Sequence, residues 1–238
     1  MNKLEFTIKL LSDTLPNSGY DTSANLDADI VTDEFGLPYI PAKRIKGLLL
    51  ESATELSEAL GDPDKLKGKI QQLFGEIGDA DSRSLIITDA NLKGFDNLRE
   101  WLQWIKSLPV HKNNKSESEP QNPNTLNPLI KTIFHMENIT KQFTTTRRQT
   151  ALKDGVAEEH ALRTMRIIKK DLEFIGTIEP TGEALDDLQI ALLAVAMHNI
   201  RNLGYNRNRG FGRVEVHLRQ DSTPIDLQKA MQALTGRA

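Results

Sequence analysis

The sequence predicts an α+β protein with a modified ferredoxin-like (RRM-like) βαββαβ core and a long insertion between the second and third core strands. Three observations lead there. Segments with strand and helix periods follow one another as β (5–11), α (41–60), β (84–90), β (172–179), α (183–203), β (211–218). Both core helices carry apolar residues at helical spacing. The stretch of about 95–170 is an excursion from this order. On this reading residues 1–238 form a single domain, with its core in about 1–94 and 171–219 and a C-terminal helix at about 224–236.

Each element has a local reason. Phe6, Ile8 and Leu10 alternate with Thr7 and Lys9, the period of a half-buried strand. Residues 12–40 are rich in Asp, Asn, Gly and Pro and show no helical period. From Pro41 to Leu60 the stripe Ile45, Leu48, Leu49, Ala53, Leu56 reads as a helix, stopped by Gly61-Asp-Pro63. A short helix is expected over Lys65–Phe74, and a compact buried strand over Ser84-Leu-Ile-Ile-Thr-Asp-Ala90. Leu98–Leu108 reads as a helix with Trp101, Leu102 and Ile105 on one side. Residues 111–125 are polar and Pro-containing, a mobile insertion by composition, and a short helix is expected over Pro128–His135. Residues 162–168 and 172–178 read as strands joined by a hairpin turn at Lys169-Lys-Asp171. Leu185, Leu188, Leu192, Val195, Ala196, Ile200 and Leu203 define the helix over Gly182–Leu203. A strand over Phe211–Leu218 and a helix over Ile225–Leu234 close the chain.

The formal net charge of −3 does not advertise nucleic acid; its distribution is more telling, with one end able to present carboxylates and the other to grip phosphate. Residues 1–40 hold seven acids against Lys3 and Lys9, whereas residues 199–219 hold five arginines against Glu215. Cysteine is absent, which excludes disulfides and thiolate metal sites and fits a reducing cytosol. No apolar run is long enough to span a bilayer. The start, Met-Asn-Lys-Leu-Glu-Phe, reads as a strand opening rather than a signal peptide, so a cytoplasmic protein is expected. The five histidines show no pairing with tyrosine or lysine that would suit acid–base cleavage of RNA, and no P-loop or Rossmann fingerprint is present.

The most informative stretch is Leu203-Gly-Tyr-Asn-Arg-Asn-Arg-Gly-Phe-Gly-Arg213. Gly204, Gly210 and Gly212 permit positive φ and close approach to a ligand. Arg207, Arg209 and Arg213 supply forked donors for phosphate. A glycine-rich turn with solvated arginines would have the same sequence. Lys43, Arg44 and Lys46 fall at the start of the helix after Pro41, where cations oppose the macrodipole. An anion bound there explains them, and so does a solvated charged face.

Four segments together resemble the RAMP superfamily, and most of all the small backbone subunits of type III CRISPR effector complexes. The first is the acidic loop from Asn25 through Leu37-Pro-Tyr-Ile-Pro-Ala42 to Lys46-Gly47. The second is Leu73-Phe-Gly75 followed by the strand ending Asp89-Ala90. The third runs from Arg147-Arg-Gln-Thr-Ala-Leu-Lys-Asp-Gly-Val-Ala157 to Phe174-Ile-Gly-Thr-Ile178, like the family's thumb hairpin and the strand after it. The fourth is the Gly/Arg loop. The family's "IPG" is Ile40-Pro-Ala42 here, and residues 95–135 match no family segment.

The resemblance implies a subunit that binds guide (CRISPR) RNA and complementary target RNA beside other RAMP subunits and the large subunit. It implies RNA contacts from Lys43, Arg44, Lys46, Gly47, Arg147, Arg148, Gly204, Arg207, Arg209, Gly210, Gly212 and Arg213. In cutting members, a loop aspartate ahead of the "IP" motif is needed for metal-dependent target cleavage. Asp27 matches that spacing, which makes it the expected catalytic residue and Mg²⁺ ligand; Asp29 and Asp21 are its rivals. A cap of a turn is the ordinary role of such an aspartate. Two other readings stand beside this one: a RAMP subunit that only binds, and a general RRM-type RNA-binding module. The latter usually needs exposed aromatics on its central strands, where this chain has Leu85-Ile-Ile-Thr and Arg213-Val-Glu-Val.

Overall fold

The structure is a computed structural model that describes residues 3–16, 26–60, 63–75, 85–108, 132–153, 156–205 and 210–236. The expected 111–125 insertion, the start of the Pro128–His135 helix, Asp21, Arg207 and Arg209 lie outside the described residues. Among the described residues no helix is long and apolar enough to cross a membrane.

The core sheet is antiparallel. Strand β1 (Leu4–Leu10) lies between β7 (Glu173–Pro180) and β8 (Val214–Gln220), and β3 (Leu85–Ile87) and β4 (Ala90–Leu92) pair the far edge of β7. That neighbour order, with α1 (Ala42–Ala59) and α5 (Asp187–Asn199) as the crossovers, is the ferredoxin-like core. Two-residue strands β2 (Tyr39–Ile40) and β9 (Thr223–Pro224) extend the two edges. Leu4, Phe6, Ile8 and Leu10 on β1 are buried together with Val214, Val216 and Leu218 on β8, the alternation the strand period foretells.

Helix α5 begins with a capping box, in which Asp186 accepts from Gln189 N–H and the Gln189 side chain accepts from Asp186 N–H. Its residues 190–197 are all buried, because α1, α6 (Leu227–Thr235) and β8 surround it. Opposite Phe6 on β7 sits Gly176, where a Cβ would overlap the fully buried Phe6 ring. Gly176→Ala is expected to destabilise the protein by about 1–3 kcal/mol through overpacking. Adding Phe6→Leu should recover part of that loss in urea unfolding, and additivity of the two changes would contradict the contact.

Several local expectations change. The strand expected over 84–90 is two strands: between the pairs Ile87–Ile178 and Asn91–Ile175 the chain carries one residue more than β7 does. The bulge is held by Thr88 N–H to Thr177 O (3.0 Å) and Thr177 N–H to Thr88 Oγ1 (2.9 Å). The helix expected over 183–203 spans 187–199, since residues 202 and 203 turn extended to meet 213 and 212. The strand expected from Phe211 starts at Val214, after Gly210 and Gly212 have taken positive φ.

Thr132 and Ile133 are helical, as expected, but His135 lies beyond that helix. It is the N-cap of α4 (Met136–Phe143), its imidazole accepting from Glu137 N–H. Helix α3 (Asp96–Ser107) buries Leu102 and Ile105 as expected, but Trp101 is largely exposed and meets Phe134 edge to face. The turn at Lys169-Lys-Asp171 makes no hairpin. Strand β6 (Val156–Ile168) pairs instead with β5 (Thr144–Lys153), a separate two-stranded sheet, and residues 169–172 form the corner into β7. Local alternation revealed β6 and β7 but not their partners: β5 directly precedes β6 in a polar run without strand alternation, and β1 lies far off in sequence.

Candidate nucleic-acid interface

The acidic loop docks on the β5–β6 hairpin. Asp27 N–H donates to Thr164 O (2.8 Å), and Thr164 N–H donates to the Asp27 carboxylate (2.6 Å). Arg166 N–H donates to Ala28 O (3.1 Å), and Ala28 bridges Met165 in parallel. Residues 27 and 28 therefore lie along the outer edge of β6 as an isolated parallel bridge. Thr164 gives both its backbone groups to Asp27, so its antiparallel pairing with Arg148 across the hairpin is of the non-hydrogen-bonded kind. Asp27 remains exposed.

Asp29 differs in kind from Asp27. It is buried, accepts from Ile30 N–H (2.8 Å), and faces Arg166, whose guanidinium lies 3.6 Å away. Burial pushes its carboxyl above the ordinary range; the Ile30 N–H and Arg166 oppose that shift, and Glu137 adds to it. The rest of the loop is fixed to α3 and α4. Asp33 accepts from Phe35 and Leu37 N–H and pairs with Arg99 (2.9 Å). Lys106 donates to Glu34 O (2.6 Å) and lies over the Phe35 ring. Gly36, at φ +89°, packs on Met136 O, and Thr140 Oγ1 donates to Gly36 O (2.9 Å). Helix α3, within the stretch 95–135 that matched no family segment, and helix α4 just after it thus brace the acidic loop.

The Gly/Arg loop is pinned at its base. Gly204 and Gly212 have φ of +92° and +75°, and a Cβ on either would overlap a backbone carbonyl, Leu15 O or Leu203 O. Their close approach is therefore to the chain itself, because residues 13–15 run directly beneath. Gly210, at φ +82°, has nothing within 4 Å of a Cβ. Tyr205 N–H donates to Leu15 O, Gly212 N–H to Asp13 O, and Arg213 N–H to Ser12 Oγ, each at 2.9 Å. Asp13 also accepts from Arg147 (3.1 Å) and from Lys170 N–H (3.1 Å). Thr14 bridges Ile168. Segment 12–16 thus joins the Gly/Arg loop to the base of the hairpin and brings exposed Arg213 and Arg147 to one end of the sheet.

The start of α1 lies elsewhere. Pro41 offers no side-chain cap, and Asp89 from the β3–β4 bulge accepts from Ala42 N–H (2.7 Å). A carboxylate of the protein therefore already occupies the positive end of this helix, which answers part of the charge argument for Lys43, Arg44 and Lys46. Strands β7 and β1 separate this end from the Gly/Arg loop on β8. Lys43, Arg44 and Gly47 are exposed, Lys46 is half-buried, and a Cβ on Gly47 would meet nothing within 4 Å. Sequence reasoning missed Asp13, Asp89, Glu137, Thr164 and Arg166; only the charges set within strand 162–168 hinted at the last.

A ferredoxin-like sheet, an appended β-hairpin with an acidic loop docked on its edge, and a glycine–arginine loop at the entry to the last core strand define a class of elaborated RRM-like proteins. The model of the RAMP superfamily matches residues 7–215, and the chain belongs to that superfamily. A search of curated proteins finds no match. Among solved structures, a chain of the type III-B Cmr-beta complex in its apo state, determined by cryo-EM, is 17% identical with a TM-score of 0.58 over 92% of this chain and 97% of that one. A chain of Cmr-beta bound to cognate target RNA is 16% identical with a TM-score of 0.59 over 91% and 96%. Oligomeric Cmr4 from Pyrococcus furiosus is 17% identical with a TM-score of 0.48 over 92% and 98%. At these identities the likeness is one of fold.

Proposed function

We propose that this protein is a guide-RNA-binding backbone subunit of a type III CRISPR effector complex and that it cuts bound complementary target RNA at Asp27. Membership of the RAMP superfamily and the likeness to chains of Cmr-beta, one of them bound to cognate target RNA, support the assembly. The observation that carries the catalytic reading is the placement of Asp27: exposed, yet held through its own carboxylate against the backbone of the β5–β6 hairpin.

RNA brings its own nucleophile, the 2′-OH. A splayed nucleotide whose 2′-oxygen lies in line with the phosphorus needs a group to take the proton, and a fixed carboxylate can do so. Among the described residues no three acids or histidines cluster as a metal cage. A single carboxylate still suits Mg²⁺, which commonly takes its remaining ligands from phosphate and water. Bound there, the ion would offset charge on the phosphate. Arg147, Arg148, Arg207, Arg209 and Arg213, with Lys43, Arg44 and Lys46, are the phosphate contacts, and exposed Gly47 lets a backbone approach α1.

The RRM-type reading finds no support on the open face of the sheet. Strands β1, β7 and β8 present Glu5, Thr7 and Lys9, Glu173, Ile175 and Thr177, and Glu215, His217 and Arg219 there, with no Phe, Tyr or Trp; Tyr39 shares this face only at the edge, on the two-residue β2. Some of these side chains have partners: Lys93 pairs with Glu173, and His217 Nε2 lies 3.0 Å from the Glu215 carboxylate.

The test is RNA. The protein expressed with a guide locus and partner subunits should carry small RNA of defined length, read by extraction and sequencing; RNA-free complex contradicts the reading. Arg207→Ala with Arg209→Ala should weaken binding for any sequence and reduce the salt slope by about 0.7 per lost single-strand phosphate contact. An unchanged slope would leave these arginines as solvated turn residues.

A further inference from the structure

We infer that Arg166 is the positioning residue of the Asp27 loop, acting with Glu137 as a clamp between that loop, β6 and α4; the inference rests on the catalytic reading of Asp27. One residue joins all three parts. The Arg166 backbone N–H donates to Ala28 O (3.1 Å). One guanidinium nitrogen lies 3.6 Å from the Asp29 carboxylate, and the other donates to Glu137 on α4 at 2.9 Å. The Arg166 side chain is 20% exposed and that of Asp29 11%, so this bridge is poorly screened by water.

Geometry makes the clamp act on Asp27. Thr164 and Arg166 stand two apart on β6, so their backbone groups point to the same edge of the strand. Thr164 holds Asp27, and Arg166 holds the next two loop residues. The hydrogen bonds at Thr164 fix the height of Asp27 along the strand. They do not by themselves prevent the loop from peeling off an edge that has only two rungs. The Arg166 guanidinium does, because it is ion-paired with Asp29 on the loop at 3.6 Å and hydrogen-bonded to Glu137 on a packed helix at 2.9 Å. A buried ion bridge is an expensive way to gain stability alone, since burial acts against the charge on Asp29. What it supplies is a single arrangement of the loop.

The test compares Arg166→Gln, Arg166→Lys and Glu137→Gln in the assembled complex, with Leu49→Ala as a control that loses core packing on α1 without touching the loop. Three quantities are read: the single-turnover cutting rate at saturating target, target affinity, and hydrogen–deuterium exchange at the Asp27 and Thr164 amides, which protect each other. Arg166→Gln should slow cutting about tenfold or more, since small displacements of a reacting group are costly. Target affinity should stay within about twofold, the signature of a contact that matters only in the transition state. Exchange at both amides should accelerate. Arg166→Lys should restore part of the rate through its remaining charge, Glu137→Gln should show a milder loss, and Leu49→Ala should cut at the wild-type rate. Unaccelerated exchange in Arg166→Gln overturns the clamp. Wild-type cutting by Arg166→Gln, with none by Asp27→Asn, overturns the inference alone. Undiminished cutting by Asp27→Asn overturns the catalytic reading and the inference with it.

Discussion

Asp27→Asn is expected to lower target-RNA cutting about a hundredfold or more, the scale of a lost general base, while target affinity holds. Asparagine is the informative replacement. Its amide oxygen can still accept from Thr164 N–H, the bond that seats the loop on β6, so shape and docking persist and only the charge goes. Asp27→Ala should give the same loss of cutting with a further stability cost of about 0.5–1.5 kcal/mol for the missing hydrogen bond. A chelator should reproduce the phenotype if Mg²⁺ takes part. Asp29 is unsuitable as a matched control, because it is buried against Arg166 and its removal would disturb the loop. Glu34 is better: it lies on the same segment, its carboxylate is well exposed, and Glu34→Gln should leave cutting unchanged. Electrophoresis of end-labelled target reads the result, and full-strength bands with Asp27→Asn would mean that this subunit only binds.

The second large effect is expected at Gly212. Residues 203 and 212 close the Gly/Arg loop, with Leu203 N–H donating to Gly212 O (2.8 Å) and Gly212 N–H to Asp13 O (2.9 Å). In Gly212→Ala the new methyl overlaps Leu203 O, a backbone atom that no rotamer can move aside. The left-handed backbone alone costs a non-glycine residue about 1–3 kcal/mol, and the overlap adds to it. For a chain of this size that lowers the melting temperature by roughly 2–10 °C. Binding of RNA should fall as well, because the loop that carries Arg207, Arg209 and Arg213 loses its closed base. Gly210→Ala separates the two causes: it has the same sign of φ but open space, so only backbone strain applies and its effect should be smaller. Equal melting temperatures for the two variants would contradict the carbonyl contact.

Most of the core was legible because its signals are local. Phe6, Ile8 and Leu10 on one strand and the apolar stripe of α1 declare their elements by period alone, and the order of those elements selects the ferredoxin-like sheet. Boundaries were less legible wherever a distant partner set them. Asp89 was placed inside a strand, yet it leaves the ladder to cap a helix 47 residues earlier. Resemblance pointed to a hairpin over Arg147–Ala157, but not to its extent: its strands run from Thr144 and on to Ile168.

The sequence by itself determined the fold class, the positive φ of three glycines, and the list of carboxylates and arginines from which a site could be built, since composition, period and turn chemistry are written residue by residue. The tertiary structure alone decided which of those residues act together. It buried Asp29 and left Asp27 at the surface, set Asp13 between the Gly/Arg loop and the hairpin, and passed Arg166 between the acidic loop and α4. Such choices depend on burial and on contacts across more than 100 residues of chain, which no local pattern encodes.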